Sequence, residues 1–123
     1  MKQTIAIIGG GSAALMLASE IDTSKYEVSL FEKNPTLGRK LLVAGNGGFN
    51  LTHSEELENL KTRYIANDTI LNTLDYFSNE NLRDWLSEIG IDTYIGSSKR
   101  IFPVKPIKPI HVLNKIKQKI EEN

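Results

Sequence analysis

The chain opens on apolar positions that alternate and then crowd together. Ile5-Ala6-Ile7-Ile8 runs into Gly9-Gly10-Gly11-Ser12-Ala13-Ala14, and Leu15-Met16-Leu17-Ala18 follows at once. β-branched residues at period two suit a buried strand, and the alanine- and leucine-rich stretch suits a helix. The pattern therefore predicts a strand over 4–8 and a helix over 12–21. Asp22-Thr23-Ser24-Lys25 reads as a turn into a second strand over 27–32. Lys33-Asn34-Pro35 ends that strand, because proline removes a donor and restricts the residue before it. Parallel strands need a crossover, which the helix supplies.

Beyond residue 53 the period changes to that of helices. Thr52 followed by Glu55 fits a capping box, and Leu57, Leu60 and Tyr64 predict a helix over 54–65. A second helix is expected over 68–77, with Ile70, Leu71, Leu74 and Phe77 on one side. Ser78 can cap a third, whose stripe is Leu82, Trp85, Leu86 and Ile89 and whose stop is Gly90. Trp85 at helical spacing among leucines reads as core rather than as a ligand platform. Residues 91–95 and 100–104 flank Gly96-Ser97-Ser98 and predict a small antiparallel hairpin. Pro103, Pro106 and Pro109 keep the next segment irregular, and Ile110, Leu113, Ile116 and Ile120 mark a last amphipathic helix.

The glycines carry the first candidate chemistry. Gly9, Gly11 and Ala14 have the spacing of a strand–turn–helix that holds a dinucleotide diphosphate. The first position permits the turn, the second lets the phosphates approach the backbone, and the third allows close helix–sheet packing. Orphan N–H groups at the helix start would face the anion. Glu32 lies 23 positions after Gly9 at the end of the second strand, where an acid can accept both hydrogen bonds of an adenosine ribose. An ordinary βαβ unit with a surface glutamate is the bland alternative. Gly45, Gly47 and Gly48 form a second permissive backbone, with Arg39 and Lys40 ahead of it as candidates to meet a phosphate or an electron-rich ring. There the bland alternative is a loop with two surface cations.

Composition removes several classes of function. Lysines plus arginines equal aspartates plus glutamates at 15 each, so the chain has no overall attraction to nucleic acid or an anionic membrane. The basic excess in 99–123, seven positive against two negative charges, reads as the solvated face of a terminal helix and its approach. No cysteine occurs, which excludes disulfides, thiolate metal sites and a cysteine nucleophile and is compatible with the cytoplasm. His53 and His111 are the only histidines, and neither has a nearby ligand pair such as HExxH, so the sequence offers no metal motif. Ser12 lacks the spacing of a nucleophile elbow.

Together the two glycine segments resemble the amino-terminal part of the HI0933-like (BaiN/YhiN-type) flavoproteins, FAD-dependent oxidoreductases. The resemblance rests on Gly9 to Ala14, Phe31-Glu32-Lys33-Asn34-Pro35, Leu37-Gly38-Arg39-Lys40-Leu41-Leu42, Gly45 to Thr52, and Arg100-Ile101-Phe102-Pro103-Val104. It implies FAD as the cofactor, with NAD(P)H as a candidate reductant. Gly9, Gly10, Gly11, Ser12 and Ala13 would line the diphosphate, and Glu32 and Lys33 would sit by the ribose. Arg39, Lys40, Gly45, Asn46, Gly47, Gly48 and Asn50 would run along the extended cofactor. Two departures stand out. Gly48-Phe49 replaces the family's arginine-cysteine pair, and Ala14-Leu15 replaces a small residue followed by glycine. The first removes a cation and a thiol near the flavin region, so the substrate chemistry is not carried over.

The expected fold is therefore α/β: a partial Rossmann-like FAD-binding βαβ unit with a helical insertion and a small β-hairpin. Its expected segments are a nucleotide-binding core and glycine loop at 1–53, an insertion at 54–90, and a hairpin, loop and terminal helix at 91–123. Two parallel strands are few for such a sheet, so the chain is expected to be the front portion of a longer cytoplasmic flavoprotein acting on a small molecule. The expected partner is the remainder of that protein or a second copy, with neither nucleic acid nor membrane involved. By itself the segment is expected to bind FAD weakly or not at all. Two alternatives stay open: a non-catalytic module packing against a partner, and an enzyme that uses Gly9–Ala14 for NAD.

Overall fold

A computed structural model describes residues 1–44, 48–65 and 67–123. The chain forms two compact units, one from 1–47 with 108–123 and the other from 48–107.

In the first unit β1 (Gln3–Ile8) pairs in parallel with β2 (Tyr26–Phe31), in a register that sets Ile7 beside Leu30 and Ile8 beside Phe31. The connection is α1 (Ser12–Glu20), as the hydrophobic pattern predicts. The Asp22 turn also forms, with Asp22 Oδ1 accepting from the Ser24 N–H at 3.0 Å and the Asp22 carbonyl accepting from the Lys25 N–H at 3.1 Å.

A short helix that the sequence pattern did not predict, α2 (Arg39–Val43), follows Gly38. The terminal helix α6 (Pro109–Glu122) packs on both α1 and α2. Its Val112, Leu113 and Ile116 join Leu15, Ala18 and Ile7 in one buried core. Pro109 sits at the first helical position, where its missing N–H costs nothing. His111 is structural there, its Nδ1 accepting from the Lys108 N–H at 2.9 Å. Among the described residues one face of the sheet is better covered than the other. Ile7 is 7% exposed, while its neighbour Ile8 on the opposite face is 80% exposed.

In the second unit the expected hairpin becomes a three-stranded antiparallel sheet. Its strands are β3 (Thr52–His53), β4 (Thr93–Ile95) and β5 (Arg100–Pro103), in the order β3-β5-β4. Strand β3 overturns the capping box expected at Thr52 and Glu55. Thr52 pairs with Ile101, the Leu51 N–H donates to the Ile101 carbonyl at 2.8 Å, and the Ser54 N–H donates to the Lys99 carbonyl at 2.8 Å. Sheet pairing holds this backbone extended, so α3 is only Leu57–Lys61, shorter than the 54–65 expected. Glu55 instead accepts from Arg63 Nη2 at 2.8 Å.

Next come α4 (Asp68–Tyr76) and α5 (Asn79–Glu88), close to their predicted spans. Ser78 caps α5 with a reciprocal Asn81 contact. Beyond the helix Gly90 takes φ +82°, its N–H reaching the Ser87 carbonyl at 2.9 Å while the Ile91 N–H reaches Leu86 at 2.8 Å. That pair of bonds is a Schellman ending, which needs the left-handed residue glycine supplies. Trp85, Leu86, Ile91, Ile101, Leu60 and Phe49 are buried in this unit. Asn79 is buried too, its amide donating to the carbonyls of His53 at 2.7 Å and Glu55 at 2.8 Å.

Candidate functional site

The bend between β1 and α1 forms the centre of the site. Gly9 takes φ +94° and its N–H continues the strand ladder to the Phe31 carbonyl at 2.7 Å. Gly11 is the N-cap of α1, with no side-chain hydrogen bond there, and the first helical bond runs from the Leu15 N–H to the Gly11 carbonyl at 3.0 Å. The N–H groups of Ser12, Ala13 and Ala14 therefore have no intrahelical acceptor. The first turn of α1 carries no acidic side chain. A helix start of this kind favours an anion through its donors and its dipole.

The three glycines do three different things. A methyl built on Gly9 or Gly11 would meet no atom within 4 Å, so the space in front of both is open. For Gly9 the positive φ is the constraint, while Gly11 leaves room for an approaching group. Gly10 is buried and confined. A methyl there would run into Leu37 Cδ2 and come within 3.2 Å of Glu32 Oε2. Its N–H donates to Glu32 Oε2 at 2.7 Å and its carbonyl accepts from the Gly38 N–H at 2.7 Å. The bend before α1, the acid just past β2 and the N-cap of α2 thus meet at one residue.

Glu32 faces the bend, as the dinucleotide reading requires. Its Oε1 accepts from the Asn34 backbone N–H at 2.7 Å and from the Asn34 side-chain amide at 2.8 Å. The Asn34 backbone donor, then that of Gly10, hold the Glu32 carboxyl below the ordinary glutamate range, against the opposing effect of desolvation. Lys33 is exposed and adds a smaller favourable charge. Each of these donors stabilises the ionised form, so Glu32 is a carboxylate at neutral pH.

The remaining candidates are more scattered. Arg39 and Lys40 are exposed in the first turn of α2, which Gly38 starts at φ +65° beside Gly10. Gly48 and Asn50 belong to the second unit. Gly48, at φ +119°, lies against the Phe102 ring, and the Asn50 side-chain amide, with its nitrogen turned to the acceptors around it, reaches the Thr52 carbonyl at 2.7 Å. Gly45, Asn46 and Gly47 lie outside the described residues. His53 Nδ1 accepts from the Glu55 N–H at 3.2 Å within the second unit. In the sequence Asn34 marks the end of a strand and forms part of the family resemblance, and neither reading gives its contact with Glu32. Its place two residues after the acid, before proline, was the available signal.

A groove lined by Tyr26, Val28, Leu30 and Ile120 together with charged side chains such as Lys2 and Glu27 also opens in the first unit, and none of the described candidate residues lines it. Among the described residues no group of histidines or acids is arranged to hold a metal ion, and no helix is long and apolar enough to cross a membrane.

Residues 3–123 match the family model described as the HI0933-like protein Rossmann domain. The chain belongs to the HI0933-like family. This membership and the parallel β1-α1-β2 unit agree with each other, and both give the chain the framework of a dinucleotide-binding domain. The α3–α5 segment is the helical insertion in that HI0933-like framework.

Proposed function

We propose that this HI0933-like chain is the FAD-binding segment of a flavin-dependent oxidoreductase that acts on a small molecule in the cytoplasm. The observation that carries the reading is the open bend at Gly9 and Gly11, set at the start of α1 and faced by the Glu32 carboxylate. The residues fit the group chemically. The N–H groups of Ser12 and Ala13 are placed to donate to a diphosphate, Gly11 leaves the approach clear, and Glu32 offers an acceptor to a ribose hydroxyl. Lys33, Arg39 and Lys40 supply positive charge around the same mouth or along the cofactor.

When bound, the flavin supplies the redox chemistry, with NAD(P)H proposed as reductant. The chain's own residues bind and orient it. Glu32 also disfavours a ribose bearing an extra phosphate, because two anions would then meet at close range. The exposed Ile8 and Phe31 side chains are apolar surface that a covering chain would bury, which supports the remainder of a longer flavoprotein, or a second copy, as partner.

Calorimetric titration of the chain with FAD and, separately, with NAD tests the reading. Of the two outcomes open to the segment alone, weak binding and none, the clear approach in front of Gly9 and Gly11 favours the first: saturable but weak binding of FAD, with NAD no tighter. A chain that takes up no FAD at any accessible concentration contradicts it. NAD bound in clear preference to FAD would move the assignment to a nicotinamide enzyme.

A further inference from the structure

Resting on that reading, we infer that Asn34 is a positioning residue of the ribose subsite, holding Glu32 so that the carboxylate has one open acceptor position rather than two. A carboxylate has about four acceptor positions, two on each oxygen. Asn34 fills both positions on Oε1, with its backbone N–H at 2.7 Å and its side-chain amide at 2.8 Å. Gly10 fills one on Oε2 at 2.7 Å. One position remains, on the oxygen nearest the bend. Glu32 therefore engages a single hydroxyl of an adenosine ribose, where an unclamped acid would accept from both. Pro35 restricts the backbone of Asn34, which helps keep its N–H and its amide aimed at the same oxygen.

The clamp also ties recognition of the sugar to the shape of the diphosphate bend. Any swing of Glu32 toward a second hydroxyl has to release Asn34 or the Gly10 N–H. The second release leaves a buried glycine donor without its partner.

ADP, 2′-deoxy-ADP and 3′-deoxy-ADP are suitable probes, titrated against the unsubstituted chain and against Asn34→Ala. In the unsubstituted chain one deoxy analogue should bind within about twofold of ADP and the other about tenfold more weakly, the loss of one charge-assisted hydrogen bond. In Asn34→Ala the backbone N–H still donates to Oε1 but the amide's position on that oxygen is open to a second hydroxyl, so both analogues should fall below ADP. A ligand-free measurement accompanies this: ¹³C NMR titration of the Glu32 carboxyl, whose midpoint should rise in Asn34→Ala. An unmoved midpoint overturns the clamp, as does equal loss with both deoxy analogues in the unsubstituted chain. If ADP and FAD both fail to bind, the cofactor reading fails and takes the subsite with it. If ADP binds without discriminating between the analogues, only the inference about Asn34 fails.

Discussion

The Gly10 N–H donates to Glu32 Oε2 across 2.7 Å, joining the bend after β1 to the residue that closes β2. The bond brings a backbone donor and an acid distant in sequence to one mouth. It also explains why the middle glycine is a glycine. Gly10 is not one of the spacing-defining positions of a dinucleotide bend, yet it is the one with no room for a methyl group. Gly9 and Gly11 stand in open space, where the constraint is backbone conformation in one case and an approaching ligand in the other.

That contrast separates stability from binding. Gly10→Ala should destabilise the chain by about 1–3 kcal/mol, since the added carbon must displace Leu37 and crowd Glu32. Gly11→Ala should cost at most about 1 kcal/mol, the difference between glycine and alanine at an N-cap. The same Gly11→Ala change should abolish FAD binding, because its methyl fills the phosphate approach. Urea melts and FAD titrations of the two variants check both halves. A Gly11→Ala chain that still binds FAD normally would place the diphosphate elsewhere.

Acid should weaken the fold through Glu32. Its folded-state pKa is lowered, chiefly by the Asn34 and Gly10 backbone donors, so the ionised form is the one the fold prefers. The resulting stability is fully present above the ordinary glutamate value of 4.5 and is lost as pH falls from there through the lowered folded value. Glu32→Gln cannot titrate, so its stability should fall less steeply over that acid range. Melting temperatures of both chains between about pH 6 and pH 3 test this; parallel curves would mean that Glu32 does not contribute.

Gly38 is another position where glycine is required. It takes φ +65°, and a methyl there would lie 2.7 Å from Leu113 Cδ1 and 3.2 Å from Leu15 Cδ1, both fully buried side chains. Gly38→Ala should therefore cost about 1–3 kcal/mol from crowding, with backbone strain in addition. Leu113→Ala should cost about 2–5 kcal/mol by opening the same core. Because the two changes share that core, the double substitution should cost less than their sum. Chemical denaturation of the three variants measures the difference.

Much of the first unit is legible in the sequence because its signals are local. Period two over Ile5 to Ile8, the glycines, and the Asp22 turn each act within a few residues, and the structure follows them. Ser78 and Gly90 mark the ends of α5 for the same reason. What escaped depends on distant partners. Strand β3 exists because Thr52 finds Ile101, while its local sequence imitates a helix cap. Helix α2 follows a left-handed Gly38 and is backed by α6, from the far end of the chain. Asn34 looked like a strand boundary because proline follows it, and the carboxylate its amide clamps shows only in three dimensions.

On the proposed function, the bend after β1 receives the diphosphate of an adenine dinucleotide. Amide NMR mapping of the chain during titration with FAD tests it most directly, since it reads weak binding residue by residue. Saturable shifts should concentrate at Gly9 to Ala14 and at Glu32 and be absent in Gly11→Ala. Shifts confined to other segments, or none at all, would contradict it.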